Sequence, residues 1–197
     1  MPVISPQTFN GLCQALGHPP RLDYVGGNGP SWTNRVLNYF RGIAPGGTTL
    51  IPADADASEW NNRDLLWCHG TPCQADFQEI LLYVESEWAG NTRSWVRWEH
   101  EVLNELHKLL LTDCGAKVLV TSLPEARAST RSEDHALGIV NDATQKYCRR
   151  GTGDLMHVLL SPSRAPNAVC RARGIIYYAA LRSPAVLGPE DCLCPGN

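Results

Sequence analysis

Four residues of this chain combine types and spacing that point to chemistry: Asp64, Glu85, Glu87 and Lys108. In an extended strand alternate side chains share a face, so Tyr83, Glu85 and Glu87 point one way while Leu82, Val84 and Ser86 point the other. Two carboxylates then project together at the end of the apolar run that begins at Glu79. Burying them without a partner is costly, and a hard cation offsets the cost, since Mg²⁺ takes one or two carboxylates together with waters and phosphate oxygens. Asp64 opens the preceding apolar run, Asp64 to Cys68, so a hairpin would set it beside Glu85. The expected metal ligands are therefore Asp64 and Glu85, holding Mg²⁺ or Mn²⁺, with Glu87 as a third acid around the same point. The alternative is a set of acids at strand ends that are solvated or paired with arginine.

The elements that must hold these residues follow from hydrophobic period and turn chemistry. Trp32, Val36, Leu37 and Phe40 recur at helical spacing behind Ser31, which predicts a first helix capped there. Pro45, Gly46 and Gly47 end it, and Thr48 to Ile51 begins a strand. Asp64 to Cys68 and Glu79 to Glu85 read as a hairpin around His69, Gly70, Thr71 and Pro72. Trp95, Trp98, Val102, Leu106 and Leu109 define a long helix, with Lys108 away from its apolar stripe. Lys117 to Ser122 reads as a buried strand, about Glu133 to Cys148 as a helix, and Leu155 to Leu160 as another strand. Strands separated by helices imply parallel pairing through crossovers. Gly174 to Leu181 is the last strand expected, after a loop over 161–173 and before a loose end from Glu190. The fold class is α/β, a central mixed sheet with flanking helices, in one domain over 1–197 with its core at about 32–160 and a C-terminal extension at about 161–197.

Composition limits the function classes. Apolar residues make up 43% and charged residues 19% of 197, enough for a sizeable core and against global disorder. A net charge of -3 argues against a protein whose main work is coating nucleic acid, and leaves room for a local basic groove. Arginines 149, 150, 164, 171, 173 and 182 make the C-terminal part positive, while the middle is acidic, an asymmetry that suits a cation beside an anionic ligand. No apolar run approaches the ~20 residues of a membrane span, and the first residues lack the pattern of a signal peptide. The expectation is a cytoplasmic protein without membrane association, whose eight cysteines are free thiols.

Other signals carry less. Cys68, His69 and Cys73 lack a second ligand pair at zinc spacing, and Cys192 and Cys194 stand in the expected tail. Gly26 to Pro30 lacks the ending of a phosphate-binding loop. His100, His107 and His135 belong to helix patterns, and Trp60, Trp67, Trp88, Trp95 and Trp98 read as core before they read as base-stacking groups.

The order of elements and the acids at 64, 85 and 87 resemble the PD-(D/E)xK superfamily of restriction-endonuclease-like proteins over about residues 32–160. The core of that superfamily runs helix, three strands, helix, strand, with an Asp at the start of the second strand and an acid-x-Lys tripeptide ending the third. Asp64 and Glu85-Ser86-Glu87 fill those places, with Glu87 where the lysine usually stands. The stretch Tyr83 to Trp88 is also similar to small uncharacterised bacterial members. The resemblance implies Asp64, Glu85, Glu87 and Lys108 as catalytic residues, Lys108 being a lysine moved to the following helix. It implies Mg²⁺- or Mn²⁺-dependent endonuclease activity on nucleic acid. The competing expectation is an inactive interaction or regulatory protein on the same scaffold, with a homodimer or another protein as partner.

Overall fold

The computed structural model describes residues 4–17, 29–52, 64–72, 74–87, 94–123, 130–147, 153–161, 171–179 and 184–191. Helix α1 (Pro6–Gly17) starts at a serine-proline pair. The Ser5 hydroxyl accepts the Thr8 amide at 3.1 Å, and a proline in the first turn gives up no helical hydrogen bond. Phe9, Leu12, Cys13 and Leu16 bury one face of α1. Helix α2 (Gly29–Gly42) buries Val36, Leu37 and Phe40. The two helices are joined where the Tyr39 hydroxyl donates to the Thr8 carbonyl at 2.9 Å. A Cβ at Gly11 would stand 2.5 Å from that hydroxyl, so the helix contact needs glycine there.

Strands β1 (Thr49–Ile51), β2 (Leu65–His69), β3 (Glu79–Glu87), β4 (Ala116–Ser122), β5 (Asp154–Ser161), β6 (Arg171–Tyr177) and β7 (Ala185–Asp191) form one sheet in sequence order. The β1–β2 and β2–β3 pairs are antiparallel. Helices α3 (Trp95–Leu111) and α4 (Thr130–Tyr147) carry the crossovers that make β3–β4 and β4–β5 parallel. Beyond β5 the sheet returns to antiparallel pairing through β6 and β7. Strand β4 is buried along its whole length, as a strand covered on both faces must be.

Alternation divides the core in two. Leu65, Trp67, Leu82, Val84, Val118, Val120, Met156 and Val158 pack with α1 and α2. Leu66, Tyr83, Leu119, Leu155 and Leu159 pack with Trp98, Val102, Leu106 and Leu109 of α3 and Ala136, Leu137 and Val140 of α4. Each fully buried leucine or valine contributes about 1.5–3 kcal/mol relative to exposure. The Trp98 indole donates to the Ser122 carbonyl at 2.8 Å, fixing α3 against the end of β4.

The α/β class and the central mixed sheet with flanking helices are as expected. Several details differ, among them the last expected strand, which is Arg171–Tyr177 where Gly174 to Leu181 was expected, so that 171–173 belong to a strand and not to the loop over 161–173. Helix α2 begins at Gly29, so Ser31 lies inside it and is not its cap. Helix α1 was not expected, and neither was β7, which takes up Glu190 and Asp191. The residues read as a C-terminal extension contribute two strands to the same sheet as the core. Trp60, Trp88, Cys73, Cys148, Cys170, Cys192 and Cys194 lie outside the described residues. Cys13, Cys68 and Cys114 are buried thiols, none of them in a disulfide among the described residues.

Candidate functional site

The hairpin register places the acids. Leu65 stands opposite Val84 and Leu66 opposite Tyr83, so Asp64, one residue before β2, meets β3 at Glu85. The Asp64 Oδ2 atom accepts the Ser86 amide at 2.7 Å. That bond satisfies one carboxylate oxygen and locks the end of β2 onto β3. Tyr83, Glu85 and Glu87 share the α3 face, where the Tyr83 hydroxyl donates to Glu85 Oε1. Asp64 and Glu85 are buried at 8% and 3% exposure, and Glu87 is half-buried.

Helix α3 supplies charges that the sequence reading missed. Trp95 packs edge-on against His135 of α4 with ring centroids 5.2 Å apart, which assigns one flank of α3 to α4. At about 100° per residue, Glu101, Glu105 and Lys108 fall together on the opposite flank of the buried seam. Lys108 Nζ lies 2.6 Å from Glu105 Oε2, a buried oxygen that makes this ion pair without a well-aligned hydrogen bond. Glu101 pairs with Arg97 at 2.7 Å. Lys108 is off the apolar seam, as its phase predicts, and yet its charge acts on the acids of β3. The spacing of 101, 105 and 108 beside an apolar seam was the available sign.

The acids strain one another. Burial, followed by the charge of Asp64, pushes the Glu85 carboxyl up to about 9, against an opposing hydrogen bond from Tyr83. Burial, followed by Glu105, Glu101 and Asp64, pushes Glu87 up to about 7. Lys108 opposes both shifts and Glu105 adds to both, so the five carboxylates and the ammonium form one electrostatic unit.

A polar row continues across the sheet. Thr121 is in register with Glu87, and its hydroxyl lies 2.9 Å from His157 Nε2. His157 is fully buried, its Nδ1 has no hydrogen-bond partner, and burial lowers its pKa to about 3. It is a neutral core histidine.

The donor set of Asp64, Glu85, Glu87 and Glu105 offers only carboxylate oxygens, which fit Mg²⁺ or Mn²⁺ better than a soft metal. Among the described residues no three His, Cys, Asp or Glu side chains converge as a ready ligand set. Asp64 and Glu85 are brought together across β2 and β3, Glu87 follows on the same face, and Lys108, paired with Glu105, acts on both glutamates through its charge. No family model, curated protein or solved structure matches this chain. No described helix is long and apolar enough to cross a membrane.

Proposed function

We propose that the chain is a metal-dependent nuclease that hydrolyses phosphodiester bonds of nucleic acid in the cytoplasm, on a restriction-endonuclease-like core. The observation that carries this reading is the pairing of Asp64 with the end of β3 beside Glu85, with Glu87 on the same face and the charges of Glu105 and Lys108 of α3 acting on both glutamates. The order α2, β1, β2, β3, α3, β4 supports the resemblance to the PD-(D/E)xK superfamily.

Asp64 and Glu85 would hold Mg²⁺ or Mn²⁺, which when bound supplies polarisation of the phosphate and a lowered pKa for the attacking water. Glu87, raised to about 7, is matched to accepting the proton of that water near neutral pH. The Lys108 ammonium would meet a phosphate oxygen. Tyr83 orients Glu85 by holding one of its oxygens, and Ser86 does the same for Asp64 through its amide.

The deciding experiment incubates the pure protein with single- and double-stranded DNA and RNA in Mg²⁺, Mn²⁺ or EDTA. Cleavage that needs the cation and disappears in Glu85→Gln supports the reading. Undiminished cleavage by that variant, with melts of both proteins responding equally to metal, removes Glu85 from the site. A second reading is an inactive interaction or regulatory protein on this scaffold, favoured by a strand lysine replaced by Glu87 and by Lys108 already engaged with Glu105.

A further inference from the structure

We propose that Trp95, with His135 at its side, is a stacking platform for the bases of single-stranded nucleic acid. This deepens the nuclease reading and rests on nucleic acid being the substrate. Helices α3 and α4 both begin at the carboxyl ends of the parallel strands, the end of an open α/β sheet at which ligands bind. Trp98 is buried and bonded to the Ser122 carbonyl. Trp95, three residues earlier, is only partly buried, and its ring centroid lies 5.2 Å from that of Trp98. His135 of α4 is exposed and its ring lies 5.2 Å from Trp95. Val96, which follows Trp95, is 79% exposed.

Trp95 meets Trp98 at 81° and His135 at 75°. Neither contact is a parallel stack, so the offset geometry that a base adopts on an aromatic ring is not taken up within these pairs. The first turn of α3 is capped by the Ser94 hydroxyl, which accepts the Arg97 amide at 3.4 Å, so Trp95 is carried on a fixed helix end. Thr121 is in register with Glu87, and the Trp98 indole bonds the next residue of β4. At a strand spacing of about 4.8 Å, this chain of contacts puts the Trp95 ring within roughly 20 Å of Glu87. A strand lying on the platform then passes the acids within a few nucleotides. Charge favours bases over phosphates as the recognised group. The chain carries a net charge of -3, and Glu133 and Asp134 directly precede His135, so phosphates are weakly attracted, whereas stacking depends on the π-face of the base. Bases paired in a duplex keep those faces in their own stack, which selects for single strands.

The test is fluorescence anisotropy of the full chain in EDTA, so that neither a divalent ion nor cleavage enters. The probes are labelled oligothymidylate and oligouridylate of about 12 nucleotides, the thymidylate paired with its complement, and an abasic strand of equal length. The wild type is expected to bind both single strands, and to bind the duplex and the abasic strand at least about tenfold more weakly. Trp95→Ala should lose roughly tenfold in affinity for the single strands, and His135→Ala and Trp95→Phe about threefold. None of the three should change the salt dependence, which counts phosphate contacts. Circular dichroism melts verify the fold of each variant, and the abasic comparison decides the point on the wild type alone. An abasic strand bound as tightly as thymidylate, or single-strand binding that Trp95→Ala leaves unchanged, refutes the platform and leaves nucleic acid as the substrate. The platform also falls alone if the wild type binds no strand and yet cleaves nucleic acid with Mg²⁺. If it neither binds nor cleaves, both readings fall.

Discussion

Replacing Glu85 by glutamine removes a strongly strained ionisable group while keeping its shape. The carboxyl is raised from an ordinary 4.5 to about 9, so the folded state holds it protonated at pH 7 whereas the unfolded chain ionises it. Folding then takes up a proton, and stability falls as pH rises from 4.5 to about 9. At 1.36 kcal/mol per pH unit the loss amounts to roughly 3 kcal/mol at pH 7. Glutamine keeps an oxygen for the Tyr83 hydroxyl and cannot ionise. The metal-free Glu85→Gln protein is therefore expected to match the wild type near pH 4.5 and to gain on it as pH rises. At pH 7 its melting temperature should be higher by roughly 6–12 °C, at about 2–4 °C per kcal/mol for a chain of this size. Urea melts of both proteins between pH 4.5 and 9 measure the gap directly. Two curves that run parallel over this range would show that Glu85 does not carry the strain assigned to it.

Leu106→Ala should cost about 2–5 kcal/mol, because Leu106 is fully buried in the α3 seam, whereas Lys108→Ala should cost about 1 kcal/mol or less; denaturant melts in the reverse order would overturn the helix phase. His157→Gln should flatten the acid side of the stability curve. The unfolded histidine binds a proton below about 6.5 and the buried one only near 3, so the wild type loses stability as pH falls through that window; an unchanged acid limb would refute the neutral, buried assignment.

The hairpin, the long helix and the two parallel strands were legible because each has a clear period and ends in turn chemistry. The alternation of residues 82 to 87 sorted side chains onto the faces they occupy, Tyr83 with α3 and Val84 with α1 and α2. Helix α1 was also visible in principle, since Ser5 and Pro6 precede a 9, 12, 13, 16 pattern of buried residues, but it is short and its glycine looks like a breaker. That glycine marks the Tyr39 contact, which is tertiary. Strand β7 was hidden because Gly188 and Pro189 interrupt it, as an edge strand tolerates. In the site, paired strands could be inferred from spacing, whereas the spacing of 101, 105 and 108 set Glu105 beside the seam of α3 without stating which flank of that helix faces α4.

A sheet whose spatial order repeats its sequence order has a kinetic consequence. Each described strand pairs only with its neighbours in sequence, so no pairing waits for a distant segment of chain. Four of the six pairings are antiparallel and lie toward the two edges; the two parallel ones each need a single helical crossover. Loop closure for each step is short, which lowers the entropy lost before contacts form. As the chain leaves the ribosome, β1 to β3 can zip together first, with Asp64 and Glu85 brought side by side before the helix that carries their lysine has been made.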